Sequence, residues 1–314
     1  TASALTATPA SGTTLRWYTV ATGGTFATTV TPSTAIVGVT NYYVSSYNTT
    51  TGCESSRTLL AVTITAAPAA PLAGTNGPYC VGETASPLVA TPATGASLLW
   101  YSAATGGVGS ATAPTPTTTT AGTQNFYVSS LVSGGCESTR TLITVTINAL
   151  PVAPSVSPTV AYCVGDAATA LGATPPSGAT LRWYTVATGG TFTTVAPTPS
   201  TATATTLTYY VSSVNASGCE SATRSLITVT ISAKPANPVV TTPVNLCLNE
   251  TPITLTATPA SGTSLRWYTV ATGGTASATQ PTYSTATATT ISFYVTSLNT
   301  TTGCESPRVE IQVI

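Results

Sequence analysis

The chain is 314 residues long and carries eight basic and eight acidic side chains, no histidine and seven cysteines. A charged fraction of 5%, against about a quarter in ordinary soluble domains, excludes a broad basic surface, so neither nucleic acid nor an anionic membrane face is an expected partner. No apolar run approaches the ~18 residues of a spanning helix, which argues against membrane insertion, and the lack of histidine removes the commonest general base and the serine-protease type of triad.

In chain order, the first segment "TASALTATPASG" lacks the charged and apolar regions of a signal peptide. The decapeptide "LRWYTVATGG" follows at 15–24 and returns at 181–190 and 265–274, with the variant "LLWYSAATGG" at 98–107. The four tryptophans, Trp17, Trp100, Trp183 and Trp267, are therefore spaced by 83, 83 and 84 residues. A unit of that size can bury a modest core of its own, which predicts domain-sized modules in place of a thin solenoid. The boundaries are 1–66, 67–149, 150–233 and 234–314, with the first module lacking its N-terminal strand. Pro68–Pro71, Pro151–Pro154 and Pro235–Pro238 mark semi-rigid joints running into first edge strands. Threonine is the commonest residue, and its branched Cβ suits half-exposed strands better than helices.

Module three illustrates the expected elements. An edge strand runs within "LPVAPSVSPTVAYC", a second strand is "ATALGAT", and "PPSG" turns into a third, "TLRWYTV". "ATGG" is its turn, the paired glycines supplying positive φ. "TFTTVAPTPSTATATT" holds one or two short strands, "LTYYVSSV" is a firmer one, "NASGCES" its hairpin loop, and "RSLITVTIS" the last. There Ile227, Val229 and Ile231 face one way and Thr228 and Thr230 the other. About seven short strands per module predict an all-β chain of four tandem immunoglobulin-like antiparallel β-sandwiches.

The cysteines fall into two columns: Cys80, Cys163 and Cys247 in "YCVG" or "LCLN", and Cys53, Cys136, Cys219 and Cys304 in "GCES". The preferred pairing is within modules, Cys80–Cys136, Cys163–Cys219 and Cys247–Cys304, because each module then forms its bond as it folds alone. The competing pairing joins neighbours across a boundary: Cys53–Cys80, Cys136–Cys163 and Cys219–Cys247. Cys53 is unpaired in this chain, and the position expected for its partner falls before Thr1. Zinc needs about four soft ligands per site, whereas each module has two cysteines and no histidine. Disulfides place the protein in an oxidising space.

Together "YCVGE", "LRWYTVATGG", "YYVSS" and "GCESxRT" resemble the Ig-like repeats of large secreted and surface proteins of Bacteroidota, the type found beside gliding-motility or type IX secretion C-terminal domains. The resemblance spans all four modules and implies extracellular tandem repeats in adhesins, stalks or filaments, with no catalytic residues to transfer.

The acids recur with the modules. Glu54, Glu137, Glu220 and Glu305 follow the loop cysteines, and Glu83, Asp166 and Glu250 stand three places after the first-column cysteines. A catalytic pair repeated in every module is an odd arrangement, and calcium wants six to eight oxygens; no cofactor or metal is expected. Arg57, Arg140, Arg224 and Arg308 stand close enough to pair with the loop acids, while Arg16, Arg182 and Arg266 should point outward. If each Trp faces the core, then Tyr18, Tyr101, Tyr184 and Tyr268 face out and are candidate surface contacts, able to stack on sugars or a neighbouring chain; the preferred alternative is that a flanking loop covers them. Asn48, Asn215, Asn249 and Asn299 lie in N-x-S/T sequons.

Two functions follow. One is a non-catalytic structural segment of an extracellular stalk or surface filament, whose partners are further copies of its own repeats or chain. The other is an adhesin segment binding glycans or a partner cell surface.

Overall fold

A computed structural model describes residues 2–314. It contains strands and no helix among them, in two compact units divided between Asn148 and Ala149.

The first unit begins with β1 (Thr14–Tyr18), β2 (Gly38–Tyr47) and β3 (Thr58–Ile64), hydrogen-bonded in that order as an antiparallel sheet. It continues with β4 (Leu72–Ala73), β5 (Tyr79–Cys80), β6 (Ala90–Thr91), β7 (Ala96–Tyr101), β8 (Gly122–Val132) and β9 (Thr141–Asn148). These form a four-stranded sheet, β5-β9-β8-β7, and a small ladder, β4-β6.

The second unit repeats this scheme. Its strands are β10 (Ser155–Val156), β11 (Thr159–Cys163), β12 (Ala173–Thr174), β13 (Thr180–Tyr184), β14 (Thr205–Val214) and β15 (Ser225–Ser232), followed by β16 (Val239–Val240), β17 (Ala257–Thr258), β18 (Ser264–Tyr268), β19 (Ile291–Leu298) and β20 (Val309–Val313). The sheets are β11-β15-β14-β13, β10-β12, β18-β19-β20 and β16-β17.

The alternation read in "SLITVTIS" is the reason β15 sits at the centre of its sheet. Ile227, Val229 and Ile231 are buried against Trp183, Val211 and Leu171, while Thr230 is exposed. The same core recurs with Ile143, Val145 and Ile147 around Trp100, and with Ile311 and Val313 around Trp267. Period-two patterning on a half-buried sheet places every second side chain in the core and makes the register specific.

Two local expectations differ. The opening segment of module three is two strands, because it changes sheets. β10 pairs antiparallel with β12, and β11 pairs in parallel with β15, Thr159 opposite Thr228 and Cys163 opposite Ser232. Pro158 stands at the change; it has no N–H to donate and only accepts, from the Thr228 amide at 2.8 Å. The segment 191–204 forms no strand beyond a bridge between Trp183 and Thr193. Pro197 and Pro199 remove two ladder donors there, so the second face of the sandwich is closed largely by irregular chain, with Ala196 packed on the core.

Modules one and four have three-stranded main sheets, and in module four a parallel bridge from Val244 to Val313 lies beside the edge strand β20. In module one β3 is the edge of its sheet, without the parallel strand that β5 lays on β9 and β11 lays on β15. Leu60, whose counterpart Ile227 is 1% exposed, is 36% exposed.

Candidate functional site

The most repeated residues converge on one place in each module. In module three, Trp183 turns into the core and Tyr184 turns to the other face, where a second layer covers it. Its hydroxyl donates to Glu220 Oε1 at 2.6 Å, and the Ser212 hydroxyl donates to the same oxygen at 2.6 Å. Arg224 lies over the Tyr184 ring, 3.2 Å from its centroid, and donates through Nη1 to the carbonyls of Val186 and Gly189 at 2.8 and 2.9 Å. The "TVATGG" turn, the tyrosine, the loop glutamate and the arginine are thus one bonded unit.

The unit recurs. Tyr18 donates to Glu54 at 2.5 Å, Tyr101 to Glu137 at 2.6 Å and Tyr268 to Glu305 at 2.5 Å. Ser45 and Ser129 donate to Glu54 and Glu137 at 2.6 Å, and Thr296 donates to Glu305. Arg57, Arg140 and Arg308 lie over Tyr18, Tyr101 and Tyr268 and donate to the turn carbonyls of Val20 and Gly23, of Ala103, and of Val270 and Gly273. The serine of "GCES" ties the hairpin loop to the sheet, since Ser138, Ser221 and Ser306 accept from the amides of Ser130, Ser213 and Ser297 on the facing strand.

This decides between the two readings of Tyr18, Tyr101, Tyr184 and Tyr268: they are covered, as the preferred one had it, and are not surface contacts. All four are buried, between 4% and 8% exposed. Leaving the core face of a strand exposes a residue only if nothing covers the other face, and here an arginine and a carboxylate arriving from the hairpin 36–37 residues later do so. The aromatic rings that do reach solvent are Phe26 and Phe192, at 48% and 50%. Arg16 and Arg182 lie over them at 4.1 and 4.2 Å from their centroids. Sequence reading passed over these phenylalanines because modules two and four lack them.

The arginines also exchange expected roles. Arg16 and Arg182, assigned outward, bridge to Glu54 and Glu220 at 3.0 Å. Arg224 approaches Glu220 only at 3.9 Å, its main partners being the tyrosine and the turn. Hydroxyl donation from Ser45 and Tyr18 holds the Glu54 carboxyl below the usual carboxylate value, and Ser129 and Tyr101 do the same for Glu137. Burial pushes Glu220 up, but Ser212, Tyr184 and Arg182 together outweigh it and the balance is downward. Burial, then the adjacent carboxylate, holds Tyr101, Tyr184 and Tyr268 above the usual phenol value. The phenols stay protonated as donors and the carboxylates stay ionised as acceptors, an arrangement suited to holding a fold.

Glu83, Asp166 and Glu250 do not join their modules' loop acids. Each accepts from the amide of the cysteine three places before it, at 2.8, 2.8 and 2.6 Å, and so closes the turn after the first-column cysteine.

That turn lies at one pole of a module and the "GCES" loop at the other, which corrects the cysteine pairing. Cys163 sits opposite Ser232 at the end of β15, while Cys219 lies in the hairpin that leads into its start. Eight residues of strand hold them roughly 25 Å apart, far beyond the 4.4–6.8 Å that a disulfide bridges. The intramodule bonds Cys80–Cys136, Cys163–Cys219 and Cys247–Cys304 are therefore not formed. The neighbouring pairs are not formed either, since Cys53, Cys136 and Cys247 are free thiols. Instead Cys163 of module three is bonded to Cys304 of module four, with Cα atoms 5.6 Å apart and 141 residues between them. Cys304 Sγ lies 3.8 Å from the Ser232 carbonyl at the joint and is fully buried. Cys80 and Cys219 are also oxidised. The joint between modules one and two shows the same approach, with Cys136 Sγ 2.9 Å from the Thr65 hydroxyl, Thr65 being the counterpart of Ser232.

Among the described residues no helix is long and apolar enough to cross a membrane, and no group of three or more His, Cys, Asp or Glu side chains gathers in metal-binding geometry. Comparison with curated proteins finds no match. Among solved structures the chain is similar to Sidekick-1 immunoglobulin domains 1–5, at 13% identity over 99% of this chain and 76% of that one, with a TM-score of 0.28. It is also similar to the I67–I69 I-band fragment of titin, at 11% identity over 72% and 89%, with a TM-score of 0.30. The fibronectin(III)-like modules of Clostridium thermocellum CbhA match at 15% identity over 52% and 92%, with a TM-score of 0.30. The model of the Ig-like domain described as CHU_C associated matches residues 1–66, 68–148, 151–232 and 235–314. Tandem Ig-like modules with disulfides are typical of extracellular repeat proteins. Four matches covering nearly the whole length make this chain a member of that Ig-like family, in tandem.

Proposed function

We propose that the chain is a non-catalytic structural segment of an extracellular stalk or surface filament, on secreted or cell-surface proteins of the Bacteroidota type. The observation that carries this reading is the Cys163–Cys304 bond, which staples module three to module four across their joint. A spacer transmits load along its chain, and a covalent bond at the joint keeps neighbouring modules from parting under that load. The polar unit around each Tyr supports the same reading, since its carboxylates and arginines are spent on internal bonds. The partners are further copies of the same repeats. Immunogold imaging of producing cells with an antibody to the chain tests it: label along extended surface fibres is expected. Label confined to cell–cell contacts would overturn it.

The adhesin reading keeps one specific support. Beside the exposed Phe192 lies a shallow cavity of about 220 Å³ lined by Trp183, Tyr184, Pro197 and Tyr209. Aromatic faces of this kind stack on sugars. Glycan-array binding that is lost on Phe192→Ala would favour it over the spacer.

A further inference from the structure

We propose that the Cys163–Cys304 bond, with the parallel edge strands beside it, is a covalent bypass for tension: modules three and four pass a pull along one edge while their cores stay folded. The inference rests on the stapled-module reading above. In module three the strand that enters the main sheet first and the strand that leaves it last lie side by side and point the same way. β11 pairs over Thr159–Cys163 with β15 over Thr228–Ser232. A pull on the chain draws β11 back towards Thr159 and β15 forward towards Ser232, along the ladder that joins them. All the hydrogen bonds of that ladder are then strained together, whereas an antiparallel pair pulled apart from one end opens bond by bond. Yet each such bond is worth only about 1 kcal/mol net, and resistance to forced unfolding is a matter of rate. The ladder alone would delay extension and not prevent it.

The disulfide changes the route. β11 ends at Cys163, opposite Ser232, and Cys304 Sγ lies 3.8 Å from the Ser232 carbonyl, so the bond leaves module three where β15 does. It enters module four in the hairpin loop that leads into β20. That loop is fastened to β19: the Asn299 amide donates to the Cys304 carbonyl at 2.9 Å and the Ser297 amide to Ser306 Oγ at 3.0 Å. β20 itself has a parallel neighbour at its far end, where Val244 donates to the Gln312 carbonyl at 2.8 Å and accepts from the Ile314 amide at 2.9 Å. A pull therefore runs along β11, across the S–S bond to Cys304 and along β20, without shearing the β11–β15 ladder. The bonded cysteines are 141 residues apart in sequence, and the chain between them holds Trp183 and Trp267 with most of their cores. Lying off the path of the pull, it stays folded while the bond stands, and about 500 Å of extended chain is withheld.

The test stretches the full chain by peptide tags at its two ends in magnetic tweezers. The chain carries Cys80→Ser and Cys219→Ala, which leave Cys163–Cys304 as its one disulfide, and its thiols are alkylated first. At a constant force that unfolds modules one and two, about 500 Å should stay withheld. Dithiothreitol should then release it in two cooperative steps of roughly 250 Å each, one per module, because both cores are still folded when the bond is cut. The same chain with Cys304→Ser should give both steps at that force without reductant. A single jump of about 500 Å on reduction would mean that the cores had already come apart and would overturn the proposal. A Cys304→Ser chain that stays short would overturn it too. Cys219→Ser takes the place of Cys219→Ala if the first chain does not fold. Peptide mapping of the same preparation separates the two failures: absence of the Cys163–Cys304 link sinks the stapled-module reading, whereas its presence with a single jump sinks this inference alone.

Discussion

Tyr184 and Glu220 stand 36 residues apart and meet at 2.6 Å, the phenol donating to a carboxylate that also accepts from the fully buried Ser212. The contact joins the two motifs that recur most faithfully along the chain, "LRWYTVATGG" and "GCES". Each motif is therefore kept by the other: the turn needs the arginine, the arginine needs the ring, and the ring needs the glutamate.

Glu220→Ala should destabilise module three by about 2–3 kcal/mol. The variant leaves two hydroxyls without their charged acceptor, and such hydrogen bonds are worth about 1.5–3 kcal/mol each before discounting for the partial exposure of Glu220. Tyr184→Phe, which removes one donor and leaves the ring under Arg224, should cost about 1 kcal/mol. Urea unfolding of the full chain measures both, and an Ala variant within about 0.5 kcal/mol of the parent would show that the unit does not hold the module.

Stability should fall at both ends of the pH range. Glu54, Glu137 and Glu220 are lowered below 4.5 in the folded chain. As pH falls past that value the unfolded chain takes up protons first, so the carboxylate contribution present above about pH 4.5 is lost through the lower folded values. Tyr101, Tyr184 and Tyr268 are raised above 10.0. Their contribution is complete below about pH 10 and is lost as pH rises through the folded values. Glu137→Gln should flatten part of the acid limb in thermal melts taken from about pH 2 to 6; an unchanged limb would refute the assignment.

The paired glycines of the "ATGG" turn should differ in tolerance. Gly189 has φ 62° and open space where a Cβ would stand, whereas Gly190 has φ 74° and would bring a Cβ to 2.6 Å from Val186 Cγ2. Gly189→Ala should cost about 1 kcal/mol for left-handed backbone alone. Gly190→Ala adds overlap with a methyl of the exposed Val186, which must shift, for about 1–3 kcal/mol in all. Denaturant midpoints that reverse this order would contradict the turn geometry.

Non-reducing peptide mapping should recover Cys163 linked to Cys304. Thiol titration in denaturant should find three reactive groups, Cys53, Cys136 and Cys247. Cys304→Ser should raise the count by one by releasing Cys163. Chain-entropy reasoning for a separation of 141 residues gives a loss of up to about 5 kcal/mol, which should appear as separate unfolding of modules three and four. A Cys247–Cys304 peptide would contradict the structure.

The sequence by itself determined the period, the all-β class, the Trp-centred cores and the glycine turns. These rest on local rules: period-two alternation, threonine and β-branched propensity, and the positive φ that glycine permits all act within a few residues. Ile227, Val229 and Ile231 could be assigned to the core from spacing alone. Tertiary structure decided what lies on the other face and at the poles. Tyr184 has the same alternation whether solvent or an arginine covers it, so its burial depended on a hairpin 36 residues away. The cysteine pairing depended on which ends of the sandwich meet: β15 separates Cys163 from Cys219 by its own length, and the joint brings Cys304 of the following module to Cys163 instead.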